Sequence, residues 1–388
     1  MPKELKSHNC LICIEDRLAV VDGFETLSRV TSDCRPWPAG GLLAVCQACY
    51  TIQKIPDQKW MDEVDRIYAN YEIYHQAAGG EQKVFQTDGV ARPRSDHLVD
   101  CFLQNVPDRP DHGAMIDIGC GNGVALKNFG KALPGWTLDG HELSDKVLDA
   151  LSQISGFQSL HTGDLSAISE RYHLATVIHV LEHVPMPVAT LADVMALMHP
   201  DGCILVEVPN VAASPFDLVI ADHLTHFTKE TLHYAAVRSG MGIEMVSDQV
   251  LSKELTLLGG LGKTEAFPSG AKGGEKLAEN AVTWLKSLLD WALDASTEPV
   301  FGLFGSSIAS QWLYGALGGA TEDRVKFFVD EDVDRVGRKI DGIPIIAPSQ
   351  VPEDAIIFAP LLAGAIATLA PRLEQSPGTY LYPSIWPA

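Results

Sequence analysis

Met115-Ile116-Asp117-Ile118-Gly119-Cys120-Gly121-Asn122-Gly123 decides the fold. It reads as a buried apolar strand that carries an acid near its end and runs into three alternating glycines. A helix-like segment, Val124 to Ala132, follows. Glycines let the backbone turn tightly and approach a ligand that side chains would keep away. The spacing Asp-x-Gly-x-Gly-x-Gly differs from the Gly-x-Gly-x-x-Gly that seats a dinucleotide pyrophosphate. The grammar is that of a nucleotide-cofactor loop.

Outward from this loop, 388 residues are too many for one ordinary core, so two or three domains are expected. The net charge of -21 argues against a nucleic-acid partner, because no basic excess exists to displace counterions from phosphates. No apolar run approaches a membrane-spanning length. The opening Met-Pro-Lys-Glu-Leu-Lys has no apolar core behind it, so a cytoplasmic protein is expected; monomer and homodimer both stay open.

Three blocks emerge. Residues 1–60 hold five of the eight cysteines: Cys10, Cys13, Cys34, Cys46 and Cys49. Cys10-x-x-Cys13 and Cys46-x-x-Cys49 are two knuckle pairs that together complete one closed tetrahedral Zn2+ site, a structural one, leaving Cys34 spare. Residues 70–258 alternate strand-like and helix-like patterns, which predicts a mostly parallel sheet with helices on both faces. Its strands are expected at Ala114–Ile118, Thr137–Glu142, Ser159–Thr162, Ala175–Val180, Cys203–Val208 and Ile243–Val250. Gly259 to Gly274 reads as a linker. Residues 275–388 open with an amphipathic helix to Ala295 and then restart a strand–glycine–helix unit at Val300. There Phe304-Gly305-Ser306-Ser307-Ile308-Ala309 leads a helix N-terminus that suits an anion, although walling a substrate cleft is the favoured role.

In an open parallel sheet the ligand lies beyond the carboxyl ends of the strands. The first strand ends at Asp117 with Gly119, Gly121 and Gly123. The second ends at Glu142, a carboxylate suited to a ribose diol. The third ends at Asp164 and Leu165, where a carboxylate can accept from an adenine amino group. Beyond the fourth lie His179, Glu182 and His183. Thr228-Lys229-Glu230 reads as a helix N-cap, which makes Asp222 to Phe227 a loop at the sheet edge. His223-x-x-His226 finds no convincing third metal ligand.

The glycine loop resembles motif I of class I S-adenosylmethionine (SAM) methyltransferases. Ala175 to Val184 resembles their motif IV, which places His179 near the cofactor and His183 toward the substrate. Pro200-Asp201-Gly202-Cys203-Ile204-Leu205 resembles the strand that follows, with Asp201 for a glycine. Over essentially its whole length the chain resembles SAM-dependent C-methyltransferases of nucleotide-linked 4-keto-deoxysugars. That likeness rests on the opening Cys10–Gln53 module, on Phe216-Asp217-Leu218-Val219-Ile220-Ala221-Asp222-His223-Leu224-Thr225-His226-Phe227-Thr228, and on Phe328-Val329-Asp330 with Lys339 to Ile345.

The resemblance implies SAM as cofactor and a sugar-nucleotide small molecule as substrate. It also implies a class I Rossmann-like centre flanked by a small zinc domain and a C-terminal Rossmann-like domain. His223 inherits the role of base, with Asp222 as its orienter and His183 as donor to the developing oxyanion. The family's tyrosine is replaced by Ile220 and its Glu-His by Asp222-His223, so the acceptor is expected to differ from the parent case. Tyr71 and Tyr74 lie in a stretch similar to the family's substrate-facing tyrosine segment. Oxygen or nitrogen transfer is the alternative chemistry. A non-catalytic methyltransferase-fold protein is the alternative class, disfavoured by the complete cofactor shell.

Overall fold

The computed structural model describes residues 8–69, 83–85, 91–262 and 273–386. Tyr71 and Tyr74 lie outside the described residues, as does most of the glycine-rich stretch before Gly273. The central sheet runs in the order Phe157–Thr162, Thr137–Glu142, Ala114–Ile118, Tyr172–Ile178, Met198–Pro209, Glu254–Gly260, Gly242–Ser247. The first five strands are parallel and follow the 3-2-1-4-5 order of a doubly wound fold. Met115, Ile116, Leu174, Ala175, Val177, Ile204 and Leu205 are fully buried, as strands covered on both faces require.

All six strands expected from the sequence are present, two of them with the expected bounds. Glu254–Gly260 is an additional one, antiparallel to both neighbours. Its end reads as linker because of Gly259 and Gly260, yet here these glycines permit close packing. A Cβ on Gly259 would stand 2.5 Å from the Gly242 carbonyl, and one on Gly260 2.4 Å from that of Gly202.

The N-terminal sheet has four strands: Leu18–Val20, Leu43–Cys46, Ile52–Lys54 and Thr225–His226. The last is contributed by the loop that follows Met198–Pro209, and it pairs Thr225 with Gln53 and His226 with Ile52. The C-terminal unit is a six-stranded sheet preceded by the helix Gly274–Ala295. Its parallel strands include Phe301–Phe304 and Phe327–Val329. Ser306 Oγ donates to Asp330 at 2.6 Å and accepts from Arg335, so the glycine loop of this unit is closed by its own residues.

The three blocks are not separate cores. Phe24, Val30 and Ile52, then Val211 and Leu218, then Leu285, Phe301 and Trp312 pack into one buried cluster. Trp312 Nε1 donates to the Ser28 carbonyl at 2.6 Å, and Trp386 Nε1 to that of Ala212 at 2.8 Å. Among the described residues no helix is long and apolar enough to cross a membrane.

Candidate active site

The glycine loop leaves its strand as the spacing demands. Gly119, Gly121 and Gly123 have φ of +70°, +51° and +78°, a region costly for any other residue. Glu142 turns back over the loop: its Oε2 accepts from Gly121 N–H at 3.0 Å and its Oε1 from Leu143 N–H at 2.8 Å. Asp164 is exposed at the end of the next strand, beside half-buried Leu165. Among the described residues, a Cβ on Gly163 would meet nothing within 4 Å. Bare left-handed backbone, two carboxylates at successive strand ends and open space beside them fit the adenosine of SAM.

Asp117 lies beneath the loop. It is 3% exposed and accepts from Thr176 Oγ1 at 2.6 Å. Burial pushes its pKa up to about 7. A carboxyl raised on folding contributes stability below its unfolded value that is lost as pH rises through the folded one. The variant Asp117→Asn therefore gains melting temperature over the wild type as pH climbs from about 4 to 7, with a constant difference above that. A flat difference across this range, read by thermal melts, would contradict the assignment.

Beyond the strand Met198–Pro209 the chain makes an excursion that carries the second cluster. Asp217 is buried and accepts from two imidazoles, His223 Nδ1 at 2.6 Å and His226 Nδ1 at 2.7 Å. Burial opposes its charge, but the two imidazoles outweigh that and hold its carboxyl well below the usual range. Burial lowers His226 to about 4, so this imidazole is neutral and donates to Asp217. Because a carboxylate only accepts, Nδ1 of His223 carries a proton, which leaves Nε2 as the nitrogen through which the ring can exchange one. The His183 ring stands edge-on to His223, centroids 4.6 Å apart. Ligand atoms of Glu182, His183 and His223 lie within 4.8 Å of one another. As expected, Thr228 caps the helix Lys229–Arg238.

The N-terminal module builds the other wall. Lys54 is fully buried and donates to the carbonyls of Ile220 and, at 2.7 Å, His223. Burial lowers its pKa to about 7. Trp60 Nε1 donates to the Ala221 carbonyl at 3.1 Å. Ser32 donates to Asp222 from both its backbone N–H, at 2.9 Å, and its hydroxyl. The Tyr68 hydroxyl lies 3.1 Å from His183 Nδ1.

Three expectations change. The carboxylate bonded to His223 is Asp217, not Asp222, because the turn at Ile220 directs Asp222 toward Ser32. His183 Nδ1 faces the Asp222 carbonyl at 3.1 Å and its carboxylate at 3.5 Å, so the proton sits on Nδ1. Burial and His223 lower the His183 pKa, and Nε2 of the neutral ring accepts rather than donates to an oxyanion. His179, expected at the cofactor, is held by protein groups on both ring nitrogens: Glu182 at 2.9 Å on Nδ1, and Arg94 at 2.5 Å on Nε2. Sequence reasoning misses Asp217, Lys54 and Tyr68. Only Asp217 carried a signal, the Phe-Asp pair at the head of the resembling motif.

Cys10, Cys13, Cys46 and Cys49 converge as the knuckles predict. Sγ of Cys10 lies 3.4 Å from that of Cys49, and Sγ of Cys13 lies 3.5 Å from that of Cys46. A tetrahedron with Zn–S of about 2.3 Å has edges of about 3.8 Å, so the four thiols are compatible with a zinc site. Ile12 and Ala48 N–H groups point at Cys10 and Cys46 sulfurs, each at 3.4 Å. Cys34, at φ +69°, stands apart, half-buried.

Residues 91–247 match the family described as a methyltransferase domain, less than half of the chain. The ubiquinone biosynthesis O-methyltransferase of Haemophilus ducreyi is 24% identical over 133 residues, 31% of this chain and 56% of that protein. The enzyme of the same name from Actinobacillus pleuropneumoniae is 25% identical over 118 residues, 27% and 50% of the two chains. This chain thus spans about half the length of the curated relatives it matches. Among solved structures, human N-acetylserotonin methyltransferase in complex with SAM aligns at 16% identity and TM-score 0.37, over 44% of this chain and 52% of that one. CalO1, a methyltransferase of calicheamicin biosynthesis in its SAH-bound form, aligns at 19% and 0.36, over 44% and 54%. The doubly wound sheet, the glycine loop and the family match agree: the central part of this chain is a class I SAM-dependent methyltransferase domain.

Proposed function

We propose that this chain methylates a carbon α to the carbonyl of a nucleotide-linked keto-deoxysugar, with His223 as general base. The observation that carries the reading is the buried Asp217–His223 pair at the carboxyl edge of the methyltransferase sheet. When bound, SAM supplies an electrophilic methyl on a sulfonium; Gly119, Gly121, Gly123, Glu142, Asp164 and Leu165 would hold it, over Asp117. Asp217 fixes the tautomer of His223 so that Nε2 takes the α-proton, and stabilises the imidazolium that forms. The Tyr68 hydroxyl takes over the oxyanion-donor role first given to His183. Zn2+ on the four thiols of the N-terminal module is structural and holds the wall that carries Ser32, Lys54 and Trp60. The resemblance of both flanking blocks to the sugar C-methyltransferases supports the substrate class.

The names of the curated relatives favour a second reading, in which His223 deprotonates a hydroxyl and the product is a methyl ether. Exchange in D2O separates the two. A panel of nucleotide-ketosugars is incubated with enzyme and SAM. The carbon reading expects deuterium at the α-carbon in a His223-dependent manner; a methyl ether without exchange would replace it by the oxygen reading. The variant Asp217→Asn tests the pair itself. It leaves one imidazole facing an amide N–H2, and kcat is expected to fall by about 10²- to 10⁴-fold with SAM affinity retained. An unchanged kcat would remove Asp217 from the mechanism.

A further inference from the structure

A second cluster lies beside the proposed base and takes no part in the reaction as drawn. His179 follows the strand Tyr172–Ile178, Glu207 lies near the end of Met198–Pro209, and Glu254 begins Glu254–Gly260 opposite Pro209. The pairing of adjacent strands thus brings one imidazole and two carboxylates to the same sheet edge. His179 Nε2 is 3.3 Å from Glu207 Oε1 and 3.7 Å from Glu254 Oε2. Ligand atoms of the three lie within 4.8 Å of one another.

Glu207 is 0% exposed, and among the described residues neither of its oxygens has a hydrogen-bond partner; Oε2 of Glu254 has none either. An ionised carboxylate taken out of water without hydrogen bonds is costly unless a cation compensates it. The cation at hand is Arg94, whose Nη1 lies on His179 Nε2 and whose Nε stays 3.8 Å from Glu207. Glu182 also abuts His179, and the three carboxylates hold that imidazole well above its usual range against burial and Arg94, so two cationic groups face three carboxylates.

We propose that His179, Glu207 and Glu254 form a binding site for a divalent cation of the Mn2+ class. Ligands at about 2.0–2.2 Å from one ion are separated by about 3.0–3.5 Å, close to the spacings found. One imidazole with two carboxylates suits a borderline-to-hard divalent ion. The half-buried His179 and Glu254 give it an entry path. Arg94 is its competitor, because it lies against the nitrogen that the ion would take. The inference goes beyond the methyl-transfer reading and stands on this cluster alone.

The full chain, zinc-loaded, is titrated with Mn2+ alone while free Mn2+ is read by electron paramagnetic resonance. Mn2+ is the probe because four thiolates disfavour it. One Mn2+ per chain is expected. Glu207→Gln and Glu254→Gln should each weaken it by about tenfold or more, and Arg94→Ala should tighten it. Should Glu207→Gln not fold, the less buried Glu254→Gln carries the measurement. No binding to either wild type or Arg94→Ala, or binding indifferent to both glutamate changes, overturns the proposal. SAM affinity, measured by calorimetry on the same samples, reports separately on the cofactor site.

Discussion

The variant His223→Ala loses turnover by about 10²- to 10⁴-fold, the range a positioned general base contributes, while SAM affinity stays near that of the wild type. The two effects separate because the residues occupy different strand ends. The cofactor loop follows Ala114–Ile118, whereas His223 hangs on the excursion beyond Met198–Pro209. Asp217 keeps His226 as a donor in the variant, so the buried carboxylate is not stranded. Steady-state rates together with SAM calorimetry check the outcome. Wild-type turnover in the alanine variant would refute the assignment of the base.

The variant Cys46→Ser is expected to reach further than its distance from the chemistry suggests. Cys46 ends the strand Leu43–Cys46, which pairs with Ile52–Lys54, which in turn pairs with Thr225–His226. Loss of one thiolate opens the knuckle, and metal binding in such small modules is folding free energy. The strand that carries Lys54 then loosens, and with it the carbonyls of Ile220 and His223. A displacement of about 1 Å at a catalytic group costs on the order of 10²-fold in rate. Lower zinc content, a lower melting temperature and a comparable fall in kcat are expected together, with SAM affinity retained. Unchanged metal stoichiometry would show that the four thiols hold no zinc.

Much of this was readable from residue order, because the relevant signals are local. The glycine spacing, the acids closing successive strands and the paired knuckles all act within a few residues of chain. What stayed hidden depends on contacts across long separations. Lys54 reaches His223 over 169 residues and Ser32 reaches Asp222 over 190. Asp222 is the expected partner of His223 because Asp222-His223 stands where the resembling family carries its Glu-His pair. In the fold, Asp217 wins because a turn brings a residue six positions back against the ring. The strand Glu254–Gly260 was obscured for a related reason. Paired glycines usually mark a linker, and only the close approach of neighbouring strands shows why glycine is needed there.

The strand Thr225–His226 belongs by sequence to the methyltransferase block and by pairing to the cysteine module. A chimaera that exchanged only residues 91–247 for those of a relative would inherit a complete cofactor loop. It would lack the complementary edge on which the loop carrying Thr225–His226 lies. If His223 acts as proposed, transplanting acceptor choice between such enzymes means moving residues 8–69 and 210–228 as a matched pair.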